Sequence, residues 1–155
     1  MTAETVLTPE TKFFTALKLQ HTEQTFKNLG FYVKSSIELG KQLETTIGSN
    51  AQEEIWAIYL DYQQNVIGAS LCARGGIASC GIEPRQIFQH ALLCNAAGII
   101  LCHNHPSGDT TPSCNDIKFS RRMVDACKLM GFELLDCMII ASDDYTSFAE
   151  KGFLK

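Results

Sequence analysis

The chain has 155 residues, of which 45% are hydrophobic and 19% charged. This is the balance of a soluble globular protein with a real core, organised as one domain or one domain with a short extension. Its 13 basic and 17 acidic residues leave a net charge of −4, which argues against a broad nucleic-acid surface because phosphate binding draws on a basic patch. No apolar run reaches the roughly 18 residues needed to cross a membrane, so no membrane partner is expected. Met1–Thr5 lacks the basic start and apolar stretch of a secretion signal.

Seven cysteines are an odd and generous count. None forms a Cys-x-x-Cys pair, which speaks against a zinc ribbon. Most lie in apolar runs, where a reduced thiol behaves as a small hydrophobe, so a cytoplasmic location is expected.

Residues 1–50 read as a helical extension. Thr8-Pro9-Glu10 offers a hydroxyl cap and a proline in the first turn, Phe13, Phe14, Leu17 and Leu19 follow, and Gly30 closes the stretch. A second helix starts at Ser35 or Ser36 and runs through Ile37, Leu39 and Leu43 to Gly48. The core domain spans 51–155. Ile55–Leu60 is a short apolar run that predicts a buried strand, and Val66–Cys72 returns as a second strand of a hairpin. Gly75-Gly76 marks a corner. Glu83-Pro84 opens a helix with Ile87, Phe88, Ala91, Leu92 and Leu93 on its buried side.

Ala97–Cys102 predicts a buried strand that delivers His103 at its end. Ser113 caps a helix running to Met130 before Gly131, with Ile117, Met123, Val124, Cys127 and Met130 facing inward. Lys118, Arg121, Arg122 and Lys128 form its solvated face. Phe132–Ala141 and Tyr145–Phe148 read as further strands. Strands interleaved with helices around a mixed sheet define an α/β fold, an α+β sandwich.

Leu101 to Asp116 carries the chemistry. In an extended strand, side chains two residues apart share a face, so His103 and His105 point the same way. Pro106 and Gly108 then turn the chain, and Asp116 is the third residue of the next helix. Two imidazoles and a carboxylate make three ligands for a zinc-like ion and leave a fourth position for water, as in a catalytic site. Taken singly, Asp116 could cap its helix with Ser113, and the histidines could be polar residues at a strand end. The other histidines, His21 and His90, sit in helical contexts. A carboxylate must serve as proton carrier; Glu53, Glu54 and Glu83 are the candidates.

The string His-Asn-His-Pro-Ser-Gly-Asp-x-x-Pro-Ser-x-x-Asp at 103–116 resembles the JAMM (MPN-plus) metalloprotease signature, and more fully the bacterial RadC family. The likeness extends through Glu53-Glu54-Ile55-Trp56, Glu83-Pro84-Arg85, Asn95-Ala96-Ala97, Leu134-Leu135-Asp136 and Ser147–Gly152, and covers about residues 50–155. It implies a cytidine-deaminase-like JAMM/MPN core, with His103, His105 and Asp116 as ligands of Zn2+. It implies Glu53, with Glu54 as the fallback, as general acid/base, and Ser113 as the stabiliser of an oxyanion. In two places the chain departs from the pattern. Residues 1–50 show no Gly-rich helical hairpin of the kind such chains carry ahead of the core, and Cys137 stands where the family commonly has His after Leu-Asp.

The resemblance implies a zinc-dependent hydrolase acting on a protein or peptide substrate, a metallopeptidase or isopeptidase. The alternatives are a DNA-associated, repair-related protein or metal-dependent nuclease, and a non-catalytic metal-binding scaffold. The acidic balance does not favour nucleic acid, and the complete ligand set does not favour the scaffold.

Overall fold

The structure is a computed structural model and describes residues 33–75 and 82–154. The first predicted helix with His21, the corner residue Gly76 and Cys80 lie outside the described residues.

The chain enters through α1 (Ser36–Leu43), whose N-cap Ser35 accepts a hydrogen bond from the Glu38 amide. A wider helical turn, Glu44–Gly48, extends it. β1 (Glu54–Leu60) and β2 (Val66–Arg74) form a hairpin. Its turn is tied by the Asp61 carboxylate, which accepts from the amides of Gln63 and Asn65. α2 (Pro84–Leu93) follows with proline in its first turn. Then come β3 (Gly98–Asn104), α3 (Cys114–Met130), β4 (Glu133–Ile140), β5 (Tyr145–Ser147) and the single turn α4 (Phe148–Lys151). α3 stops where Gly131 turns left-handed at φ 79°, a conformation glycine adopts without a Cβ clash.

The sheet order is β2-β1-β3-β4-β5. β3 runs antiparallel to β1 and parallel to β4, so the sheet is mixed. Alternation along the three central strands sends side chains to two separate cores. Ile55, Ala57 and Tyr59, with Ile99, Leu101, Cys137 and Ile139, face Ile87 and Phe88 of α2 and Met123 and Cys127 of α3. Ile58, Leu60, Ile100, Cys102, Met138 and Ile140 face Leu39, Leu43 and Ile47. Residues 36–48, read from the sequence as part of a helical extension, thus cover the second face of the sheet. Each aliphatic side chain buried there contributes about 1.5–3 kcal/mol.

Two helix ends depart from the expected faces. Leu92 and Leu93 are largely exposed, as is Met130, while Val124 is half-buried. All three exposed residues occupy the last turn of their helices. The basic residues of α3 are exposed as expected, and Arg122 pairs with Glu83 at 2.9 Å. The six described cysteines are free thiols, with Cys102, Cys127 and Cys137 buried. No helix among the described residues is long and apolar enough to cross a membrane.

Gly48 packs closely on the chain just after β4, where an added Cβ would lie 2.1 Å from the Ala141 carbonyl oxygen. Backbone cannot move aside as a flexible side chain does. Gly48→Ala is therefore expected to cost about 1–3 kcal/mol and to lower Tm by several degrees, at about 2–4 °C per kcal/mol. An unchanged melting curve would contradict this packing.

Candidate metal centre

β3 is buried along its whole length, and its ladder sets the site. His103 lies opposite Ile55 of β1 and beside Ile139 of β4. The strand continues in extended form, since the His105 amide donates to the Ile140 carbonyl. His103 and His105 consequently share a face, as the spacing predicted, and their Nε2 atoms stand 3.1 Å apart. The chain then turns at Gly108, where φ is 83° and the amide donates back to the His105 carbonyl. This turn brings the Asp109 carbonyl to 2.6 Å from His105 Nδ1. A carbonyl only accepts, so Nδ1 carries the proton and Nε2 presents a lone pair.

Asp116 closes the third side. It is the third residue of α3, and it both caps the helix and reaches the histidines. The Ser113 amide donates to its Oδ2 at 2.7 Å, and its own amide donates to Ser113 Oγ at 3.2 Å. Its Oδ1 lies 3.4 Å from His103 Nε2 and its Oδ2 lies 3.9 Å from His105 Nε2. The capping box and the candidate ligand set thus share Asp116.

Glu53 completes the cluster. One of its carboxylate oxygens and one ring nitrogen of each histidine all lie within 4.8 Å of one another. The strand register explains why Glu53 is there and Glu54 is not. Glu53 falls two residues before Ile55 and so on the face of His103. Glu54 faces the opposite side, where its carboxylate accepts from Asn50 Nδ2, Trp56 Nε1 and Arg74 Nε at 3.0–3.1 Å. Glu83 is 64% exposed and held by Arg122.

The donor set fits a divalent cation. Two imidazole nitrogens bound to tetrahedral zinc at about 2.0–2.1 Å stand roughly 3.4 Å apart, close to the spacing seen here. Two of these donors, His105 and Asp116, are each oriented by a backbone group, the Asp109 carbonyl and the Ser113 amide, the kind of outer support common at metal sites. Cys137 sits behind the site, where it shares a small cavity of about 10 Å3 with His103, Asp116 and Ser120. Burial raises its thiol pKa well above the usual range. Beside His105 opens a polar cleft of about 290 Å3, lined by Asn50, Ala51, Pro106, Gly108 and Ser142.

A family model described as a RadC-like JAB domain matches residues 33–153. The chain belongs to this family. It is 38% identical over 122 residues to a UPF0758 protein of Latilactobacillus sakei, covering 79% of this chain and 54% of that one. A UPF0758 protein of Clostridium perfringens is 45% identical over 103 residues, 66% of this chain and 45% of the relative. One from Bordetella petrii is 41% identical over 114 residues, 74% and 51% of the two chains. The chain therefore spans about half the length of the curated relatives it matches.

The sequence reading did not identify Asn104 or the Asp109 carbonyl. Asp109 had a local signal, because Asp directly after Ser-Gly turns readily, and its carboxylate accepts from the Thr111 amide. Asn104 had none beyond its place between two histidines.

Burial drives the His103 pKa down to about 4, with His105 pushing the same way and Asp116 opposing. The native protein then binds fewer protons than the unfolded chain as pH falls from 6.5, the ordinary value, so this stabilisation is present above that pH and is lost on the way to 4. Metal-free protein is expected to weaken in urea unfolding across this window, and His103→Gln to flatten the dependence. Equal slopes for both proteins would contradict the burial assigned to this ring.

Proposed function

We propose that the chain is a zinc-dependent hydrolase that cleaves amide or isopeptide bonds in a protein or peptide substrate. The observation that carries this reading is the approach of the Glu53 carboxylate to one ring nitrogen of each of His103 and His105, whose Nε2 atoms are paired, with Asp116 on their third side. His103, His105 and Asp116 would hold the ion. Bound zinc supplies Lewis acidity, which polarises a carbonyl and acidifies a water.

Each remaining role belongs to a residue of this chain. Glu53 takes the proton of the attacking water and hands it to the leaving nitrogen. The Oγ of Ser113 accepts from the Asp116 amide, which leaves its hydroxyl proton to donate to the developing oxyanion. His103 and Asp116 are buried, so the charges they face are poorly screened and act strongly. The cleft beside His105 receives the substrate, and the small, uncharged side chains lining it suit a peptide backbone.

The test is turnover of a fluorogenic peptide and isopeptide library by zinc-loaded protein and its Glu53→Gln variant. The variant is expected to retain zinc and to lose about 10²–10⁴-fold in turnover, the usual worth of a positioned acid/base. Unchanged turnover with zinc in place would remove Glu53 from the reaction.

A further inference from the structure

Asn104 separates the two histidines and is 0% exposed. Its side chain points away from them, to the other face of the sheet, and spends its hydrogen bonds on one segment some fifty residues earlier. Its Oδ1 accepts from the Glu54 amide at 2.7 Å. Its Nδ2 donates to the carbonyls of Asn50 and Gln52 at 3.0 and 3.1 Å. The Gln52 carbonyl and the Glu54 amide belong to the two peptide units that flank the Glu53 Cα. Asn104 therefore holds both peptide planes on either side of Glu53, and with them the backbone dihedrals that aim its side chain. A third tie comes from the hairpin, where the Gly75 amide donates to the Glu53 carbonyl at 2.7 Å.

This segment lies between the turn ending at Gly48 and the start of β1, so most of it has no ladder of its own to hold it. Asn50 also lines the cleft beside His105. One buried amide thus joins the strand carrying two candidate ligands to the strip carrying the candidate proton carrier and one wall of the cleft. Other side chains match this poorly. Aspartate would accept from the Glu54 amide but could not donate to two carbonyls, and alanine would take the side-chain partner from all three backbone groups.

We propose that Asn104 is a positioning residue that fixes Glu53 against His103 and His105, so that loss of its side chain removes the function of Glu53 while leaving the metal ligands in place. This inference rests on the reading of Glu53 as proton carrier. A displacement of about 1 Å is enough to cost roughly 10²-fold in rate.

The experiment compares wild type, N104A, E53Q and the double variant. Zinc content, amide hydrogen exchange of residues 51–54 and turnover of a fluorogenic peptide are measured for each. N104A is expected to bind zinc as wild type does, to lose amide protection in this segment, and to fall about 10²-fold in kcat with KM little changed. The double variant should be no slower than E53Q alone, because a residue acting through Glu53 has nothing left to position. Retained protection in N104A, or a further multiplicative loss in the double variant, would overturn the assignment. Full turnover by E53Q would instead remove the parent reading of Glu53, while the exchange data would still decide whether Asn104 anchors the segment. Should N104A fail to fold, N104D keeps the acceptor, loses both donors and answers the same comparisons.

Discussion

The pairing of β3 with β1 on one side and β4 on the other is the constraint from which the site follows. Because β3 is held in extended form on both edges, consecutive residues at its end must face opposite ways. His103 goes to the face covered by α2 and α3, Asn104 to the face covered by α1, and His105 returns to the first. The same alternation on β1 sends Glu53 toward the histidines and Glu54 away from them. One ladder thereby separates a chemical face from a structural one, and a slip of one residue would exchange them.

Placing polar groups this deep is costly unless each finds a partner. Among the described residues, no buried side-chain nitrogen or oxygen lacks one. Asp116 meets the requirement by capping α3 while reaching the histidines, and Asn104 by stitching the strip before β1. Asp136, beside Cys137, does the same midway along β4, where it accepts from Ser147 Oγ and from the amides of Cys137 and Ala149. These networks leave the paired Nε2 atoms, the Asp116 carboxylate and Glu53 converging from three different elements, an arrangement suited to a cation and a water rather than to one another.

Much of this was legible in the sequence because it is local. Apolar runs at Ile55–Leu60 and Ala97–Cys102 marked the central strands, and Ser35, Glu83-Pro84, Ser113 and Gly131 marked helix boundaries through capping chemistry. The His103/His105 pair followed from a period of two. What escaped depended on contacts between distant segments. Glu53 and Glu54 are neighbours with the same side chain; local features left them open, the family resemblance favoured Glu53, and the physical reason lies in the register of Ile55 against His103. Asn104 looked like a spacer because its partners lie some fifty residues away in sequence. Leu92, Leu93 and Met130 were placed inside on helical periodicity and are exposed at the helix ends.

The central claim is that His103, His105 and Asp116 form a metal site. Its most direct test is elemental analysis of protein prepared without a metal-affinity tag, beside a His103→Ala/His105→Ala variant that is shown to fold. The account predicts close to one zinc per chain, absent from the variant. Folded wild-type protein that carries no metal, and takes up none when zinc is added back, would contradict it and leave the histidines with a structural role.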